Sequence, residues 1–220
     1  MIYKVFFFIP NLIGYLRALL YLSAFIVHTF NYWQLSIILY TIAFLLDELD
    51  GRAAKKFNQV TQFGASLDMV LDRCATTGLC LILAQIYPIC LVIFIILITL
   101  DISSHYYLLS ISGKLQTPSH KAVTSWSKNR LLALYYDNKL VFDLLIASNE
   151  LFYILLYITA YTTGFKITLL GVTFGFWQGF LLITFPLYLL KQTINVLQLI
   201  FAARQIALLD LESRKKEKTN

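Results

Sequence analysis

Charge is what this sequence has least of: Asp, Glu, Lys and Arg make up only 14% of its 220 residues, where a soluble domain carries about 25%. With 59% hydrophobic residues and a mean hydropathy of +0.70, this deficit excludes a disordered chain, a water-soluble enzyme and a free-standing nucleic-acid binder. No nucleic-acid partner is expected. Cysteine is also sparse. Cys74, Cys80 and Cys90 stand in apolar surroundings with neither a pairing pattern nor metal-ligand spacing, and read as small core residues. Internal repeats, heptads and low-complexity segments are absent. The first apolar run, behind Lys4, lacks a small-residue cleavage site and is interrupted by Pro10, Asn11 and Arg17, so it reads as a span and not as a secretory signal.

What the chain does have is apolar stretches of about 20 residues, the length that crosses a bilayer core. Six occur: Phe6–His28, Tyr32–Leu49, Gly64–Ile86, Ile89–Ile111, Leu140–Thr162 and Ile167–Ala203. The last is long enough to protrude and carries Pro186, a candidate kink. The expected fold is all-α, a polytopic six-transmembrane-helix bundle. It comprises one domain over residues 1–203 and a basic cytoplasmic tail over 204–220 that exits as a helix. Lysine and arginine set the orientation. With a cytoplasmic N-terminus, Arg52, Lys55 and Lys56, the loop with Lys114, Lys121, Lys128, Arg130 and Lys139, and the tail all fall on the cytoplasmic side. Only Lys166 falls opposite, which is the positive-inside asymmetry. Gly113–Lys139 is the one sizeable polar loop, and Tyr32, Trp33, Tyr135 and Tyr136 fit interfacial belts.

Within this apolar chain stands Asp47-Glu48-Leu49-Asp50-Gly51-Arg52-Ala53-Ala54-Lys55, followed by Gly64-Ala65-Ser66-Leu67-Asp68-Met69-Val70-Leu71-Asp72. Spacings of three and four put each aspartate pair on one helix face, and the intervening stretch returns the two helices side by side. Four carboxylates gathered in a low dielectric must either protonate in part or bind cations. Hard oxygen donors on rigid helices suit magnesium or manganese, and two such ions can clamp the attacking and leaving oxygens of a phosphoryl or phosphatidyl transfer. Gly51 and Gly64 leave room for a bulky nucleotide. The alternative is a set of helix-end acids, solvated or paired with Arg52, Lys55, Lys56 and Arg73.

The pattern D-x-x-D-G-x-x-A-K, eight residues, then G-x-x-x-D-x-x-x-D resembles the signature of the CDP-alcohol phosphotransferase family, membrane enzymes of six helices that make phospholipids. The family usually has arginine where this chain has Lys55, which keeps the charge but loses the bidentate fork. Ile9-Pro10-Asn11 with Gly14-Tyr15 and Arg17, Lys56 to Val60, Asp101 to Tyr106, Ser119-His120-Lys121, Asn149 to Tyr153, and Lys191 to Thr193 with Asn195-Val196 resemble the members of that family that use myo-inositol. The resemblance implies CDP-diacylglycerol and myo-inositol as substrates and an endoplasmic-reticulum enzyme with both termini and active site facing the cytoplasm. It implies that Asp47, Asp50, Asp68 and Asp72 hold two Mg2+ or Mn2+ ions, with Asp72 also the general base. Gly51, Ala54, Lys55, Gly64, Arg52, Arg73 and Asn11 are the candidate CDP-diacylglycerol contacts.

Asp101, Ser104 and His105 share a helix face and offer donors and acceptors to a polyol; with Lys121 they are the candidate inositol contacts, and a polar patch between helices accounts for the first three equally well. Asn11 and Arg17 face either the nucleotide or the membrane interface, and His28 stands at a span end. Glu150 and Lys191 each fall about 15–18 Å deep in their spans, so mutual neutralisation is expected. Gly171, Gly175 and Gly179 permit close helix approach, and a homodimer and simple intramolecular packing explain them equally well. Two other readings remain: the same chemistry on another alcohol, and a divalent-cation transporter. No acidic ladder continues to the far membrane face to serve the second.

Overall fold

Asparagine decides where the first two long helices stop. The computed structural model describes residues 3–114, 129–169 and 172–219. After a single turn, α1 (Tyr3–Phe6), α2 runs over Ile9–Thr29 with Pro10 in its first turn, where the missing N–H has no cost. It ends at Asn31 with φ +64°, and α3 (Trp33–Lys56) ends at Asn58 with φ +54°. Each end closes with the paired bonds of a Schellman motif: Asn31 N–H to His28 O and Tyr32 N–H to Val27 O, then Asn58 N–H to Lys55 O and Gln59 N–H to Ala54 O. A β-branched residue in that left-handed conformation costs about 1–2 kcal/mol. Asn58→Val should therefore lower the thermal unfolding midpoint in micelles, whereas Asn58→Gly should leave it nearly unchanged.

Helix α4 (Gln62–Ile86) starts at Thr61, whose hydroxyl accepts the Gly64 N–H at 3.0 Å. A 3-10 turn, Pro88–Cys90, leads into α5 (Leu91–Lys114). Then come α6 (Arg130–Asp137), α7 (Lys139–Tyr161), the antiparallel pair β1 (Lys166–Leu169) and β2 (Val172–Gly175), and α8 (Phe176–Thr219). Among the described residues, five helices are long and apolar enough to cross a membrane: α2, α4, α5, α7 and α8. Helix α3 is equally long, but Asp47, Glu48, Asp50, Arg52, Lys55 and Lys56 crowd its C-terminal end. The protein is an all-α polytopic membrane protein, with one small hairpin among the described residues.

The chain forms two compact units, Met1–Phe94 with Tyr153–Leu181, and Ile95–Phe152 with Leu182–Asn220. In the first, α2 packs against α3 and α4. Its buried stripe, Pro10, Asn11, Gly14, Arg17, Tyr21 and Ala24, follows helical spacing, and α3 answers with Ser36, Ile37, Tyr40, Ala43 and Asp50. Lipid tails are as apolar as leucine, so contact between spans is held by packing and polar bonds. Tyr21 meets Tyr40 edge-on with centroids 5.0 Å apart, and the Phe25 ring lies where a side chain on Gly78 would go. Farther along, His28 Nδ1 is 2.8 Å from the Tyr157 hydroxyl, and Trp33 stacks on Tyr161.

The second unit has its own core of Leu108, Ile111, Leu132, Tyr135, Tyr136, Leu145, Ile194 and Ala202. A buried polar chain runs through it. Gln192 Nε2 donates to Asn149 Oδ1 at 2.8 Å, Asn195 Nδ2 donates to Gln192 Oε1 at 3.2 Å, and Lys191 donates to Asn195 Oδ1 while lying over the Tyr135 ring. Glu150 Oε1 accepts from Asn149 Nδ2 at 3.4 Å. Neutral amides thus also serve Glu150 and Lys191, and three further buried polar side chains, Asn149, Asn195 and Gln198, join the half-buried Gln192 here, Gln198 donating to the Tyr136 hydroxyl at 2.6 Å.

Several expectations need correction. Part of the polar loop Gly113–Lys139 is helix α6, capped by Asn129 Oδ1 on the N–H groups of Leu131 and Leu132. Tyr135 and Tyr136 lie buried on it, on the face they share with Leu132. The span expected over Ile167–Ala203 begins as the β1–β2 hairpin; the helix starts at Phe176 and continues unbroken through Pro186 and Arg204 to Thr219. Gly175 packs against the Thr163 backbone, so its small size serves the hairpin and not a helix crossing, and Gly171 lies outside the described residues. Cys74 is exposed, whereas Cys80 is buried and Cys90 half-buried; all three are free thiols.

Candidate active site

The helix ends described above bring the aspartates together. The turn from Phe57 to Thr61 reverses the chain between α3 and α4, and Gln59 Oε1 accepts the Ile9 N–H at 2.9 Å, tying that turn to the start of α2. Asn11 tightens the same corner. It is 1% exposed, its Nδ2 donates to Val5 O at 2.6 Å, and its Oδ1 occupies the space beside Gly64, where an added Cβ would come within 2.9 Å. Glycine at 64 thus admits Asn11 to the α2–α4 contact.

Asp47 and Asp50 on α3 and Asp68 and Asp72 on α4 converge, as their spacing predicts. At their centre is Arg17 of α2, which the sequence placed facing either the nucleotide or the membrane interface. Its Nη1 donates to Asp50 Oδ2 at 2.6 Å and to Asp68 Oδ1 at 2.8 Å, and its Nη2 donates to Asp72 Oδ1 at 2.7 Å. The same Nη2 lies 2.7 Å from Asp47 Oδ1. That fourth contact is an ion pair only, and Asp47 Oδ1, although buried, accepts no hydrogen bond. The Arg17 side chain is fully buried, whereas Asp47, Asp68 and Asp72 are 32%, 45% and 33% exposed. An arginine in mid-span, with no acid on its own helix, was the available signal: such a charge needs partners inside the bundle.

One guanidinium does not balance four carboxylates. Ligand oxygens of Asp47, Asp50 and Asp68 lie within 4.8 Å of one another, and the donor set is all oxygen with one buried oxygen lacking a donor. These residues fit a hard divalent cation. Beside them opens a cavity of about 220 Å³ lined by Asp50, Asp68, Gly51, Ala54, Lys55 and Gly64, together with Asn11, Gly14 and the Gln59–Thr61 turn. Nothing lies within 4 Å of the position a Cβ on Gly51 would take, so that glycine keeps the wall open.

The other described candidates are not among the residues that line this cavity. Arg52 forms an exposed pair with Glu48 one turn back, and Arg73 Nη2 is 3.9 Å from Asp72 Oδ2; neither lines the cavity. Asp101, Ser104 and His105 belong to the second unit. Ser104 Oγ donates to the Asp101 carbonyl at 3.0 Å, and His105 Nδ1 is 2.8 Å from that same carbonyl and 3.1 Å from Ser104 Oγ. Lys121 lies outside the described residues.

Residues 7–163 match the CDP-alcohol phosphatidyltransferase family. The chain belongs to that family. It is 40% identical to the CDP-diacylglycerol–inositol 3-phosphatidyltransferase of Mus musculus, covering 98% of both chains. It is 41% identical to the enzyme of the same name from Saccharomyces cerevisiae, over 98% of this chain and 93% of that one. The Candida albicans enzyme of that name is 40% identical, over 96% of this chain and 87% of its own. No solved structure matches the chain significantly.

Proposed function

We propose that this family member transfers the phosphatidyl group of CDP-diacylglycerol to myo-inositol, releasing phosphatidylinositol and CMP. The observation that carries the reading is the near-complete alignment, at about 40% identity, with enzymes of that name from a mammal and two fungi. The carboxylates at the cavity wall give it a place to act. Asp47, Asp50, Asp68 and Asp72 hold Mg2+ or Mn2+, two ions in the fullest arrangement. Bound there, the metal supplies positive charge to the diphosphate and to the oxygens entering and leaving phosphorus.

The chain's own groups do the rest. Asp72 takes the proton from the inositol hydroxyl as its oxygen bonds to the lipid-bearing phosphorus; the bond from that phosphorus to the CMP oxygen breaks, and CMP leaves with the electron pair. Lys55 on the cavity wall faces the diphosphate charge, and Gly51, Ala54 and Gly64 leave space for the nucleotide. Asn11 holds the cavity corner, and Arg52 and Arg73 add positive charge nearby. Asp101, Ser104, His105 and Lys121 contact inositol. The site and both termini face the cytoplasm at the endoplasmic reticulum, in keeping with the crowding of Lys and Arg on one side of the spans. Residues 1–203 form the catalytic domain, and 204–220 extend from it as a basic tail.

CMP release from CDP-diacylglycerol by the purified protein tests this reading. Release should require both myo-inositol and Mg2+ or Mn2+, and chelation should stop it. Release with another alcohol in place of inositol would keep the family chemistry and overturn the acceptor; divalent-ion flux in sealed vesicles without CMP release would overturn the reading altogether.

A further inference from the structure

Arg17 engages one oxygen of each aspartate: Asp47 Oδ1, Asp50 Oδ2, Asp68 Oδ1 and Asp72 Oδ1. The second oxygen of each carboxylate lies outside these contacts, and that of Asp72, Oδ2, is 3.9 Å from Arg73 Nη2. The guanidinium is fully buried while three of the four carboxylates are about a third or more exposed, so Arg17 lies beneath them, on the side away from solvent. A planar guanidinium directs its N–H groups in a fixed fan, here hydrogen-bonding Asp50, Asp68 and Asp72 while its charge holds Asp47. An ammonium group keeps the charge but points its three donors tetrahedrally from a single rotating nitrogen.

We infer that Arg17 is a positioning residue. It forms the floor of the metal site, hydrogen-bonding one oxygen each of Asp50, Asp68 and Asp72 and holding Asp47 by charge, so that the carboxylates stay gathered for a divalent cation. This rests on the proposed metal reading and deepens it. Without the floor, four like charges on two helices relax apart, and the cation must gather them at the expense of its affinity. Partners of this kind, which hold a ligand without touching the metal, are worth about 10–100-fold in metal affinity.

Arg17→Lys separates geometry from charge, because it preserves the positive charge and removes the fan. Mn2+ binding to the full chain in micelles, without substrate, is read from the electron paramagnetic resonance of free Mn2+. The lysine variant should bind about 10–100-fold more weakly than the native protein. A purely structural arginine would lower the unfolding midpoint and leave the affinity of the folded protein unchanged. Unchanged or tighter binding by the variant overturns the inference while leaving the metal site standing. A native protein that binds no Mn2+ overturns the metal reading first, and this inference with it.

Should the variant fail to fold, the native protein still decides. Under an arginine-selective dicarbonyl reagent, Arg17 should stay unmodified with and without Mn2+, and the exposed Arg52 should react in both. Labelling of Arg17 on addition of Mn2+ would make it a displaced counter-ion and overturn the inference.

Discussion

Asp72→Asn is expected to cut CMP release by about 10²–10⁴-fold, the contribution of a positioned general base, without weakening the fold. The amide oxygen has the size and position of the carboxylate oxygen, so it still accepts the Arg17 Nη2 donor now at 2.7 Å. What is lost is one negative charge and the capacity to take a proton. Four carboxylates around a single guanidinium repel one another, so removing one charge relieves strain in the metal-free protein. The unfolding midpoint should stay level or rise while turnover collapses. Asp68→Asn should behave likewise, because Asp68 is one of the three residues whose ligand oxygens cluster within 4.8 Å. Retained turnover in both variants would overturn the assignment of base and metal ligands.

The largest expected loss of stability comes from Arg17→Ala. Removing one member of a buried ion cluster leaves uncompensated charge in a low dielectric, which costs about 3–5 kcal/mol. The metal-free protein in micelles should show this as a large fall in unfolding midpoint. Adding Asp50→Asn should recover part of it, since Asp50, the most buried of the four, then no longer needs a cation. A fall of less than about 1 kcal/mol, the usual worth of an exposed ion pair, would mean that water and not the guanidinium holds the carboxylates.

The aspartates were legible in the sequence because carboxylates are rare in an apolar chain and their spacings of three and four can only place them on shared faces. Arg17 was visible as an oddity, but not as the centre of the site. Its partners lie 33 to 55 residues away for the three hydrogen bonds, and helical periodicity carries no information across such a separation. Helix α6 was obscured by the lysines around it, although Leu132, Tyr135 and Tyr136 mark an apolar face and Asn129 marks its start. The hairpin was lost for the opposite reason. Ile167, Thr168, Val172 and Thr173 are good strand formers, yet they adjoin a long apolar run that hydropathy alone extends through them. Asn149, Gln192 and Asn195 fall in motifs that carry the family resemblance and Gln198 in none, but an uncharged amide gives no sign in the sequence of whether it faces the interior.

The order of the site's parts along the chain has a consequence for how the protein is made. Arg17 leaves the ribosome before any of the acids that hold it, and Asp72 follows 55 residues later. At synthesis rates of about 5–20 residues per second, that is a delay of roughly 3–11 s. During that interval α2 carries a lone arginine, a costly passenger for an isolated span. That arginine meets its counter-charges only when α3 and α4 arrive, so these three helices are expected to settle in the bilayer as a group, docked by the Arg17–aspartate cluster.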